Sequence, residues 1–361
     1  MMHLRWIVAT TATTLGRALV PITHRTVNSS CTSALNARIR TRFTETLGGG
    51  SVKAVPIVLA PMGGCAGGAL AAAVAQAGGI GLVGSGGETL DYLKEEWAVA
   101  LDAIQGGAPN QDRSVAASRA NLGFGVNIHQ IEEQPDGTLQ NLVTELHPRH
   151  VYLSFGDIRC HVPAIRAVEA EGHPCAIYSN AGDVATALTH ARNGADCVVM
   201  QGSDAGGHTH DRASIFALLP ETRSTLDAHG YGSVMVVAAG GVSDGRGLAA
   251  ALTLGADAVV MGTRLAAATE SVYSSTQKMA LVEATDGAKS TTLGRFHDAL
   301  NGVKEHSSGL PGRCLVTRST GLEGEWIRTE KNTTREDLRT RHREGVEMAG
   351  GDGTEWGTTW A

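Results

Sequence analysis

The 361-residue chain is poor in aromatic residues, at 4%, and low in charge, at 18%. So few aromatics cannot build the stacking surface that single-stranded nucleic acids need. No basic stripe is present, and the net charge is −6, so nucleic acid is not an expected partner. The low charge comes with 42% apolar residues, and that combination excludes a disordered chain. The six cysteines (Cys31, Cys65, Cys160, Cys175, Cys197 and Cys314) form no C-x-x-C pair. Neither a disulfide framework nor a structural zinc site is expected, and Cys175 and Cys197 sit in apolar runs as buried thiols would. No apolar run reaches the roughly 18 residues of a transmembrane helix. Short internal repeats are absent, which excludes a solenoid. Nothing here sets an oligomeric state.

Acids are missing altogether from Met1 to Thr44, a stretch with six Arg and many Ser and Thr. Such segments are typical of organelle transit peptides. A secretory signal fits less well, because four Thr interrupt Trp6 to Leu15. The expectation is a disordered extension over residues 1–40 and a mitochondrial or cytoplasmic location. Residues 41–361 then form one domain, with a charged segment from about residue 310.

What the chain does have is Gly, 46 of them, many at the ends of short β-branched runs. Those runs are Ile57–Met62, Ile80–Gly84, Gly123–Ile128, Val151–Gly156, Cys175–Ser179, Cys197–Gly202, Val234–Gly241 and Ala258–Arg264. They read as strands buried on both faces. Ala-rich helical segments lie between them: Gly68–Ala77, Ala164–Glu171, Ala181–Asn193 and Gly245–Leu254. Gly78, Gly194 and Gly255 stand where a helix ends in a left-handed residue. Strand spacings of roughly two dozen residues suit βαβ units, and eight units suit an α/β (β/α)8 TIM barrel. A doubly wound open sheet is the competing arrangement. Further on, Glu270–Ala284 reads as a helix and Thr329–Glu347 as a solvated charged helix.

Chemistry in a barrel gathers at the C-terminal ends of its strands. Gly240 and Gly241 follow the seventh strand, and Met261-Gly262-Thr263-Arg264 closes the eighth. Bare backbone there can approach a phosphate, and the Thr263 hydroxyl can donate to one. Ser243-Asp244-Gly245-Arg246 offers an N-cap and opens a helix. After the sixth strand comes Gln201-Gly202-Ser203-Asp204-Ala205-Gly206-Gly207-His208. Gln201 suits the edge of a heterocycle. His208, on a loop after two Gly, suits a general base near neutral pH. His208, His210 and Asp211 match no strong metal motif, and no metal is expected. Asp157 is the only acid well placed at a strand end, and it reads as a loop cap.

Together, Pro56–Met62, Gly78-Gly79-Ile80-Gly81, Gly125-Val126-Asn127, Gln201–His208, Ala238–Val242 with Asp244-Gly245-Arg246, and Met261–Arg264 resemble the nitronate monooxygenase family, formerly called 2-nitropropane dioxygenase. The resemblance runs from about Thr41 to about Glu325. It implies a barrel that binds FMN without covalent attachment. It implies that Met62 and Asn127 line the ring system, and that Gln201, Gly206, Gly207, Gly240, Gly241, Val260, Met261, Gly262 and Thr263 contact the cofactor. His208 matches the catalytic base for neutral nitroalkanes. The implied reaction is oxidation of an alkyl nitronate by O2 to a carbonyl compound plus nitrite. Similar barrels serve NAD(P)H-dependent flavin reductases of the quinone and enoyl type, and these motifs do not separate the two. A flavin-free pseudoenzyme and a phosphate-handling isomerase are further alternatives. Asp204 stands where the family commonly has Glu. Cys65 either faces the flavin or fills space. Trp360-Ala361 resembles the start of a family segment that normally continues, so weakened closure of the flavin pocket is a further expectation.

Overall fold

A computed structural model describes residues 40–47, 54–85, 89–105, 120–170, 172–300, 309–322, 332–348 and Thr359. The reading of residues 1–39 and of Trp360-Ala361 lies outside the described residues. In chain order the strands are β1 (Ile57–Leu59), β2 (Gly81–Ser85), β3 (Leu122–Asn127), β4 (His150–Ser154), β5 (Ala176–Ala181), β6 (Cys197–Gln201), β7 (Gly207–His208), β8 (Met235–Ala239), β9 (Ala258–Met261), β10 (Thr291–Gly294) and β11 (Gly312–Leu315). Eight of them form one parallel sheet in the order β1-β9-β8-β6-β5-β4-β3-β2. A parallel bridge from Val58 to Ile80 brings its two edges together. The sheet is therefore a nearly closed (β/α)8 barrel and not an open doubly wound sheet.

Strand periodicity sorts the core into two layers. Val58, Tyr178, Cys197, Val199, Val237, Ala239, Ala258 and Val260 fill the barrel. Their neighbours Leu59, Ile177, Val198, Met200, Val236, Ala238, Val259 and Met261 face the surrounding helices. The helix Arg42–Thr46 closes the N-terminal end of the barrel. Phe43 is fully buried among the interior residues and meets Tyr178 edge-on at 6.5 Å. Arg42 holds the plug in place: its guanidinium makes two 2.9 Å bonds to the Asp257 carboxylate at the start of β9.

Gly78, Gly194 and Gly255 have φ of 97°, 93° and 100°, so each does end a helix in the left-handed region. Asp244 caps the helix Gly245–Thr253 by accepting from Arg246 N and Gly247 N. The charged C-terminal stretch is the helix Asn332–Met348, and its Leu338 is buried against Phe296, Leu300 and Leu322. Among the described residues no helix is long and apolar enough to cross a membrane. Three short strands form a second, antiparallel sheet in the order β10-β11-β7. It gives the barrel a roof over its C-terminal end.

His150 begins β4 and is enclosed inside the barrel. Burial, and then the Arg149 charge, push its pKa from 6.5 down to about 3. The folded chain keeps it neutral, whereas the unfolded chain protonates it as pH falls through about 6.5. Below that value the unfolded state binds more protons, so this contribution to stability is intact above pH 6.5. It shrinks by about 1.4 kcal/mol per pH unit as pH falls towards 3. Thermal melting from pH 7 to pH 4 should show a flatter pH dependence in His150→Gln than in the parent. Equal slopes would remove His150 as a source of acid sensitivity.

Candidate active site

A cavity of about 810 Å³ opens at the C-terminal ends of the barrel strands. This lies in the upper part of the range for ligand pockets, roughly 300–1,000 Å³. Tyr152, Ala239 and Val260 belong both to the barrel interior and to the cavity lining, so they form its floor. Tyr152 stacks on Tyr178 at 6.2 Å with the rings 4° from parallel, and burial raises its hydroxyl pKa above the ordinary range. The small Ala239 leaves space above β8 for a ligand.

Of the residues singled out by sequence, Met62, Asn127, Gln201, Gly206, Gly207, His208, Gly240, Gly241, Val260, Gly262 and Thr263 all line this cavity. Met261 does not. It follows the inward-facing Val260, so the two-residue period turns its side chain to the outer layer, where it is 1% exposed. Cys65 also stays off the cavity. It is packed with Ala266, Tyr273, Leu281 and Leu315, and burial pushes its thiol up to about 12, so it fills space. Asp157 accepts from Arg159 N at 3.0 Å, the loop cap expected of it. Among the described residues no group of His, Cys, Asp and Glu could hold a metal ion.

The Gly pair after β8 has a conformational reason. Gly240 has φ +129° and Gly241 has φ +66°, a region that disfavours L side chains. A Cβ on Gly240 would sit 2.9 Å from Ala205 N. The two glycines therefore leave main chain bare beside Gly262 and Thr263 of the next strand end. Arg264, for which the family resemblance implies no contact, also lines the cavity. Its Nε is buried with no hydrogen-bond partner, a cationic donor placed beside that bare backbone.

Gln201 is more constrained than its motif suggests. Its Nε2 donates to the His208 carbonyl at 3.0 Å, and its Oε1 accepts from Asn180 Nδ2 at 3.1 Å. Asn180 Oδ1 in turn accepts from Phe155 N at 2.8 Å, and Phe155 lies at φ +56°. A non-glycine residue held in the left-handed region beside a pocket is stored strain of the kind functional sites carry. Gln201 is thus a strut between the barrel wall and the His208 main chain.

His208 is not on a free loop, as its sequence context suggested. It forms β7 and pairs with Gly312 of β11. Arg313 of the same strand donates to Ser203 O at 2.9 Å and to Ala205 O at 3.3 Å. The roof sheet therefore fixes the whole Gly-rich segment after β6. His208 Nε2 is 2.8 Å from Asp298 Oδ2. The two are 90 residues apart in sequence, so no spacing rule could have joined them. Asn180, Arg313 and Asp298 are the site residues sequence reasoning overlooked.

Fold and cavity together define a (β/α)8-barrel enzyme whose polar groups converge on a bare-backbone cradle. A family model described as nitronate monooxygenase matches residues 49–301. A nitronate monooxygenase of Neurospora crassa is 31% identical over 84% of this chain and 82% of its own length. Among solved structures, FabK from Thermotoga maritima superposes with a TM-score of 0.64 at 26% identity, covering 90% of this chain and 89% of that one. A nitroalkane oxidase from Streptomyces ansochromogenes gives 0.62 at 25% identity, covering 85% and 89%. The chain belongs to the nitronate monooxygenase family and is an oxidoreductase.

Proposed function

We propose that this chain is an FMN-dependent nitronate monooxygenase that oxidises alkyl nitronates with O2 to a carbonyl compound and nitrite. The observation that carries the reading is that His208 and the Gly240–Gly241 and Gly262–Thr263 cradle share one cavity. The residues fit FMN. The two positive-φ glycines line the cavity with main chain alone, and the buried Arg264 Nε lacks a partner that a phosphate would supply. When bound, FMN supplies the redox chemistry, accepting electrons from the substrate and passing them to O2.

The protein contributes position and charge. Gly240, Gly241, Gly262, Thr263 and Arg264 would hold the phosphate. Met62, Asn127 and Val260 would bound the ring system. His208, fixed by β11 and by Gln201, serves substrate at the mouth of the pocket. With a neutral nitroalkane it accepts the α-carbon proton. A nitronate is already anionic, so there the protonated ring balances its charge.

The test is turnover of the purified, FMN-loaded protein with propyl-2-nitronate. The reading predicts nitrite release and O2 uptake without NADH or NADPH. No nitrite, together with rapid NAD(P)H oxidation, would place the chain with the flavin reductases instead.

A further inference from the structure

Asp298 lies outside every motif of the chain, yet it is built into the site with care. Its side chain is 8% exposed and that of His208 17%. It sits on the short helix Phe296–Leu300, beyond the barrel. Phe296 and Leu300 of that helix pack on Leu322 and Leu338. Arg339 of the C-terminal helix donates to Ala299 O at 2.9 Å. The charged C-terminal helix therefore buttresses the carboxylate from behind.

An ionised carboxylate can only accept, so at 2.8 Å the proton of the contact belongs to His208 Nε2. In the neutral ring the lone pair is then on Nδ1. The main chain of the same residue is held separately, by Gln201 and by pairing with β11. Backbone and ring plane are thus fixed by different elements.

We propose that Asp298 is the positioning residue of His208. It fixes the Nε2–H tautomer and the ring plane, and so makes Nδ1 the atom that takes the proton of a neutral nitroalkane; this rests on the base role proposed above. In that step the α-carbon C–H bond breaks and its proton forms a bond to Nδ1. The electron pair becomes the C=N bond of the nitronate, and Asp298 balances the charge of the imidazolium.

Other titratable groups face this pair. His129, with Glu132 on its own helix and Glu133 at that helix's C-cap, lies close enough to feel the His208 charge, and burial lowers its pKa. His297, next to Asp298, is lowered to about 4 by burial and by His342, so it stays neutral above pH 5.

The experiment compares the full-length, FMN-loaded parent with Asp298→Asn and Asp298→Glu, on 2-nitropropane and on its nitronate, from pH 5.5 to 9. Asp298→Asn should lower kcat/KM for 2-nitropropane about 10²-fold, within the range of general-base effects, and change its pH profile. FMN content should stay within about threefold of the parent, and kcat/KM for the nitronate should fall less than that for 2-nitropropane, because the anion needs no deprotonation. Asp298→Glu should recover part of the loss.

The tautomer is read independently by 15N NMR of histidine-labelled protein above pH 8, with the His208 signals assigned by their loss in His208→Gln. The parent should show the Nε2–H form and Asp298→Asn a mixture. This reading needs no turnover, so it judges Asp298 even if neither compound is a substrate. An Nδ1–H parent ring, or unchanged tautomer and kcat/KM in Asp298→Asn, would overturn the assignment.

Discussion

Replacing His208 with Asn should leave FMN bound and remove between about 10²- and 10⁴-fold of kcat/KM on neutral nitroalkanes, the range ascribed to general-base catalysis. The cofactor cradle is built from the strand ends of β8 and β9, and His208 comes from β7 and the roof sheet. Loss of the imidazole therefore leaves the glycine geometry intact. Asn has a donor and an acceptor but no group that takes a proton near neutral pH. The nitronate should lose less, because the anion needs charge balance and no deprotonation. Steady-state kinetics on the two forms of one substrate give the ratio directly. A variant within threefold of the parent on the neutral form would take His208 out of the chemistry.

The second large effect is expected at the phosphate loop. Gly241→Val should lower FMN affinity at least tenfold. At φ +66° an L residue is strained by roughly 1–2 kcal/mol, and a β-branched one fares worse. Its Cβ would also press on Asp204 Cβ at 3.3 Å, and its methyls would occupy the bare backbone of the cradle. Strain alone is separated by Gly230→Val. That glycine has φ +81° with nothing within 4 Å of an added Cβ, and it lies away from the cavity. Gly230→Val should melt lower yet keep its flavin, whereas Gly241→Val should lose it. Flavin absorbance per protein after dialysis measures this. Equal flavin content in the two variants would refute the phosphate assignment.

The barrel was legible because its strands are buried on both faces. Continuous runs such as Cys197–Gln201 and Met235–Ala239 need no alternation to be noticed. Their C-terminal limits were less legible. The strand-like runs Ile57–Met62, Val234–Gly241 and Ala258–Arg264 extend past the point where pairing stops, at Leu59, Ala239 and Met261. Most of the residues beyond are also apolar or Gly and line the cavity, so the composition changes little where the hydrogen bonding stops. Met261 stays off the cavity lining for a related reason: a motif names neighbours together, while the strand period sends every second side chain to the other face. The roof sheet was illegible. β7 is two residues long and its partner β11 lies about a hundred residues on. Asp298 inherits that difficulty, since its link to His208 exists only once the roof is assembled.

The central claim is that one cavity serves both FMN and nitronate. It is tested most directly by the visible spectrum of the purified protein under anaerobic conditions, with alkyl nitronate added to one sample and NADH or NADPH to another. The account predicts a flavin spectrum that nitronate alone reduces, while nicotinamide leaves it unchanged. Bleaching by NADH or NADPH with no response to nitronate would contradict it, as would the absence of any flavin spectrum after reconstitution with FMN.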